Sequence, residues 1–243
     1  MRTRPIGRSA GPGGGVTIDV MTTTDVITGT DTDRWLTGGC AVLVGALSVV
    51  MVPLYFIYSG APPASNVLAR DLITVVVFTL FLVWATGLRR LLAPGGGPAA
   101  DIAAACGQVY AAVTLVSASL EAGVALEYPD GSKDPTVDGP LANGMALLHG
   151  PIARLLIATV LIALAIAVHH SKVLPHWVRT GSVLLAIVNL AFVPSLFFGT
   201  DPANFYAANG WGSTATIGGI DMMWIGAIGI ATLRHDKRKA ATR

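Results

Sequence analysis

Residues 151–171 read PIARLLIATVLIALAIAVHHS, a run whose only Lys, Arg, Asp or Glu is Arg154. Wound as an α-helix at 1.5 Å per residue, such a run is about 30 Å long, which matches the hydrocarbon thickness of a bilayer. A soluble core helix alternates apolar and polar faces, and this one is apolar nearly all round. The same pattern recurs along the chain. Stretches free of Lys, Arg, Asp and Glu cover 35–69, 72–88, 102–120, 155–171, 180–200 and 202–220. Over the whole 243 residues, 53% are hydrophobic and 12% charged, and the mean hydropathy is +0.64. Soluble domains carry about a quarter charged residues, so a water-soluble globule and a disordered chain are both excluded. A net charge of +2 with no basic stripe argues against nucleic acid as a partner.

These runs predict an all-α, polytopic transmembrane bundle of six spans, near 36–58, 70–91, 103–127, 151–171, 177–199 and 211–233. Continuous apolar runs, rather than short alternating segments, exclude a membrane β-barrel. The positive-inside rule places both termini in the cytoplasm. In that orientation thirteen of the 16 Lys and Arg residues fall on inner segments, Arg70 and Lys133 fall outside, and Arg154 lies at a boundary. Asp71, Glu127, Asp130, Asp134, Asp138 and Asp201 gather outside. Trp35, Trp84 and Trp177 form an inner aromatic belt, and Tyr58, Tyr128, Tyr206 and Trp211 an outer one. The expected organisation is a disordered tail at 1–33, a membrane domain at 34–233 and a basic cytoplasmic tail at 234–243. The segment 141–149 reads either as an interfacial helix or as an outward extension of the fourth span.

Polar side chains inside lipid are the informative ones. Tyr110, Thr114, Ser117 and Glu121 follow steps of four, three and four, which places them on one face of the third span, directed into the bundle. Thr214, Gly218 and Asp221 form a second stripe on the sixth span. On another face of that span Gly212, Ala215, Gly219, Met222, Gly226 and Gly229 make a small-residue packing seam. Arg154 stands one turn into the fourth span, at a depth that suggests Glu121 as its partner, or else snorkels outward. Asp221 and Asn189 each lie ten residues inside their spans, and spans five and six, joined by a short loop, read as antiparallel neighbours that bring the two together. On this reading Asp221 is held neutral by Asn189 and Thr214, and Asp221→Asn preserves the fold.

Two functional readings stand side by side. In one, Glu121, Arg154, Asp221, Asn189, Tyr110, Thr114, Ser117 and Thr214 line a polar cavity that binds or passes a small solute or a proton from the outer face. In the other, the same residues only pin the helices together in a non-catalytic membrane partner or sensor. No Walker loop, HExxH or Gly-x-Ser-x-Gly is present, so neither a cofactor nor catalysis is expected. His169, His170 and His176 lack companion ligands, and no metal site is expected from them.

The stretch Ser171-Lys172-Val173-Leu174-Pro175-His176-Trp177-Val178-Arg179, followed by Gly181 and an apolar span, resembles the fourth connecting loop of a large group of uncharacterised bacterial six-span membrane proteins. The resemblance implies the same layout over 34–233 and a place in the bacterial cytoplasmic membrane. It implies no activity, and the long acidic outer loop at 128–140 departs from the group's pattern.

Overall fold

The computed structural model describes residues 31–58 and 60–240. The expected tail at 1–33 therefore lies almost wholly outside the described residues, and its last three positions are already helical. No strand occurs among the described residues. The chain runs through α1 (Asp31–Leu54), α2 (Ala64–Glu127), α3 (Pro140–Leu147), α4 (Ala153–Ser171), α5 (His176–Phe192) and α6 (Ile217–Ala240). A π-helical turn joins α3 to α4, another precedes α6, and a 3-10 stretch extends α5 to Phe198. Five of the described helices, counting the joined α3–α4 as one, are long and apolar enough to cross a membrane.

The longest, α2, is a helical hairpin. Its dihedrals leave the helical region at Pro94, Gly95 and Gly97, where both glycines take positive φ (91° and 50°). Side chains of β-carbon residues rarely adopt that conformation, so the Pro-Gly-Gly-Gly-Pro sequence supplies the reversal. The two arms, 64–93 and 98–127, then lie against each other. Arg89 pairs with Asp101 at 2.6 Å near the bend. Phe78 and Phe81 pack edge-on against Tyr110 at 5.3 and 5.6 Å. Arg70 meets Glu121 at the open end.

α4 is the most deeply buried of the membrane-length helices and packs between the α2 hairpin and α5. α6 packs along α1, where the expected small-residue seam is used. Gly219, Gly226 and Gly229 face Val52, Gly45 and Ala41 in antiparallel order, and a Cβ on Gly226 would lie 2.9 Å from the Gly45 Cα. Overpacking a contact between two backbones has no flexible side chain to relieve it. Gly226→Leu is expected to lower stability by about 1–3 kcal/mol, whereas Gly39→Ala, with nothing near its Cβ, leaves it unchanged. Unfolding of the purified variants by heat in detergent checks this.

Three expectations need correction. Spans five and six are not close-packed neighbours. They meet through side chains, with Trp224 of α6 lying across Gly181, donating to the Ser182 hydroxyl at 3.1 Å and edge-packed on Trp177 at 5.5 Å. Trp84 belongs to no interfacial belt, because it is fully buried against Phe81 at 4.9 Å. Of the two readings of 141–149, the extension of the fourth span is the one seen: α3 and the π-helical turn run into α4 with a kink at Gly150. Arg154 thus stands fourteen residues from the start of that helical segment rather than one turn into it.

The Leu-Pro-x-Trp loop has a plain physical role. Lys172 closes α4 in the left-handed conformation, Leu174 is buried, Pro175 caps α5 and Trp177 is pinned by Trp224.

Candidate functional site: a loop-covered cavity above two buried ion pairs

Depth along the helices decides which charges meet. Arg70 lies six residues from the start of α2 and Glu121 six residues from its end, so the hairpin sets them at one level. Arg70 Nη2 donates to Glu121 Oε1 at 2.9 Å, with both side chains buried. The Arg70 guanidinium also covers the Tyr55 ring at 4.2 Å from its centroid. Its Nε has no partner. Asp71 stands beside Arg70 and Glu121, 6% exposed, with Oδ2 unpartnered.

A second ion pair lies deeper. Arg154 Nη1 donates to Asp221 Oδ2 at 2.7 Å and to Asn189 Oδ1 at 3.2 Å. Asn189 Nδ2 donates in turn to Asp221 Oδ1 at 2.7 Å and to the Leu185 carbonyl at 3.0 Å. All three side chains are at most 1% exposed. Tyr110 brings its hydroxyl beside the Arg154 guanidinium. Gly218 lies beside the arginine, where a Cβ would make van der Waals contact with Nη2 at 3.4 Å.

The predicted partnerships are therefore redistributed. Glu121 takes Arg70, not Arg154. Arg154 turns inward to Asp221 instead of snorkelling, which removes the premise for a neutral Asp221. The Asn189–Asp221 hydrogen bond stands as expected. Thr214 does not hold Asp221, because its hydroxyl donates to the Gly210 carbonyl at 2.8 Å. The stripe on the second arm of α2 is buried along its length, as its spacing requires. Two of its members are structural: Thr114 donates to the Tyr110 carbonyl and Ser117 to the Met145 carbonyl of α3 at 3.1 Å.

Above Arg70 and Glu121 opens a cavity of about 630 Å³, within the usual range for a small-molecule site. Its floor is Arg70, Glu121, His149 and Met145, and Thr214 lies on its wall. Tyr55, Phe56, Tyr58 and Trp211 give it an aromatic side, and Asp134, Thr136 and Asn209 come from the loops 128–139 and 199–211. Arg154, Asp221, Asn189, Tyr110, Thr114 and Ser117 do not line it. His149, for which the sequence offered no role, lines the cavity beside Met145 and Ala146.

The loops that close over the cavity are ordered by their own side chains. Asp134 Oδ1 accepts from the Thr136 backbone N–H at 2.8 Å, and Asp138 accepts from the Asp134 N–H at 2.7 Å. Asp130 accepts from the Ser132 N–H, which holds its carboxyl below the usual carboxylate range. Lys133 donates to the Tyr128 hydroxyl, an arrangement that raises its ammonium above the ordinary lysine value. Asn209 Nδ2 donates to the Thr136 carbonyl at 3.3 Å and ties loop 199–211 to loop 128–139.

Among the described residues, no group of three or more His, Cys, Asp or Glu is placed to hold a metal ion. No family model, curated protein or solved structure matches the chain.

Proposed function

We propose that this chain is a six-span membrane protein, with both termini cytoplasmic, whose outer cavity receives a small solute. The cavity carries the proposal: it joins an apolar, aromatic wall to a few buried polar groups, the composition by which small-molecule sites gain both affinity and orientation. Six spans are supported by the α2 hairpin, because each arm of about 30 residues is long enough to cross on its own. The charge bias sets the orientation, and the resemblance of the 171–181 loop favours the bacterial cytoplasmic membrane. Reception is preferred over passage. Below Arg70 and Glu121 the interior is packed with Phe78, Phe81, Trp84, Tyr110, Ile157 and Leu161, all at most 5% exposed. The buried Arg154–Asp221–Asn189 cluster serves as the floor's support in this reading, and proton handling through it is the second function it offers.

Cysteine labelling tests this in intact cells, with Cys40 and Cys106 replaced by serine. Ser132→Cys and Thr214→Cys are expected to react with a membrane-impermeant thiol reagent. Ala93→Cys, exposed beside the α2 bend, and Ser182→Cys, buried in the bundle, are expected to stay unlabelled. Reaction at Ala93→Cys in place of Ser132→Cys reverses the orientation. Absence of reaction at Thr214→Cys alone removes the outward-open cavity.

A further inference from the structure

We infer that the solute received by the outer cavity is a small organic cation, an alkyl- or arylammonium ion. This rests on the reading of the cavity as a solute site and names the class of solute. Four aromatic side chains, Tyr55, Phe56, Tyr58 and Trp211, share the lining. Phe56 and Trp211 pack edge to face at 6.3 Å, and Phe205 braces Trp211 from beside it at 4.6 Å. Aromatic faces carry negative potential and attract an ammonium group, most strongly where water is displaced. A neutral apolar solute gains from the same rings, so the charges have to decide.

They favour a cation. Glu121 and Asp134 line the cavity, against Arg70 as the single Lys or Arg side chain among the described residues there. The arginine is already engaged, by Glu121 at 2.9 Å and by the Tyr55 ring at 4.2 Å. Asp71, the next residue after Arg70, is outside the lining but buried, with Oδ2 lacking any donor. The Arg70–Glu121 pair is neutral as a unit, so Asp134 leaves the described lining with one net negative charge. An incoming anion meets that excess unscreened, because the low-dielectric walls strengthen every charge interaction inside. An ammonium group brings the missing positive charge, and its organic substituents fill the apolar remainder.

Protection of the Thr214→Cys variant in the cysteine-free background reads this directly, with Ser132→Cys as the reference outside the cavity. A quaternary-ammonium methanethiosulfonate is expected to modify Thr214→Cys at least roughly tenfold faster than its sulfonate analogue, after correction by the Ser132→Cys rates. Benzyltrimethylammonium is expected to slow that modification, whereas benzenesulfonate and benzyl alcohol leave it unchanged. Asp134→Asn, which keeps the loop's hydrogen-bond acceptor, and Trp211→Leu each weaken the protection by about tenfold. Neither residue belongs to a buried ion pair, so both variants keep the fold. If benzenesulfonate or benzyl alcohol protects as well as the cation, or nothing protects, or protection survives both substitutions, the cation assignment is overturned while the open cavity stands. If Thr214→Cys reacts with no reagent although Ser132→Cys does, the cavity itself is closed to the outside, and the solute-site reading falls with it.

Discussion

Asp221→Asn is expected to destabilise the protein by about 3–5 kcal/mol, the cost of stranding one charge of a buried ion pair. The carboxylate accepts from Arg154 at 2.7 Å and from Asn189 at 2.7 Å, and neither it nor the arginine is more than 1% exposed. An asparagine retains the shape and one acceptor but leaves the guanidinium uncompensated in the bundle. Were Asp221 held neutral by Asn189 alone, the same substitution would be silent, so unfolding in detergent separates the two pictures. Replacing both charges restores what the single change removes. Arg154→Met combined with Asp221→Leu is expected to unfold close to the parent protein, because apolar groups of similar volume avoid the desolvation that the ion pair bears. A single variant as stable as the parent overturns the pairing as a stabilising contact.

The arginine's partner was not legible in the sequence, for a traceable reason. Gly150-Pro151 reads as the start of a helix, since proline at the first turn is favoured there. Arg154 then falls one turn below the surface, where snorkelling competes. In the structure α3 precedes that break, and Arg154 starts fourteen residues from Pro140, well down the bundle. Gly218 was recognisable as one member of the Thr214–Gly218–Asp221 stripe, but not as a neighbour of the Arg154 guanidinium. Arg70 was misplaced in the same way. The second helix begins at Ala64, so Arg70 and Asp71 lie inside it rather than at its mouth. The burial of the Tyr110–Glu121 face and the close packing of Gly226 on α1 were legible, because each depends only on helical spacing within one segment. Pairings across segments depend on where each helix starts, and helix ends are what charge-free runs define least well. The cavity was out of reach for a further reason. It is closed by the loops 128–139 and 199–211, whose meeting at Asn209 and Thr136 has no periodic signal at all.

Gly150→Ala is expected to lower stability by at least about 2–3 kcal/mol and to distort the cavity. Gly150 breaks the helical run, with φ −89° and ψ −110°. A Cβ there would lie 2.1 Å from the Ala208 carbonyl oxygen, and backbone cannot rotate away as a flexible side chain does. Loop 199–211 is itself held at that point, by the Ala208 N–H donating to the Gly199 carbonyl at 2.8 Å and by Ser213 donating to the Gly210 carbonyl at 3.0 Å. Relief therefore comes from pushing the loop off the α3–α4 break. The cavity draws Met145, Ala146 and His149 from one side of that contact and Pro202, Ala203, Asn209 and Trp211 from the other, so separating them widens the site and moves Trp211 away from His149 and Met145. Gly144→Ala is the control for an added methyl group: nothing lies within 4 Å of its Cβ. In the Thr214→Cys background, Gly150→Ala is expected to raise the labelling rate and lower the midpoint of thermal unfolding, while Gly144→Ala changes neither. Labelling that stays at the parent rate despite a lowered midpoint would show that this glycine supports the helix break without shaping the site.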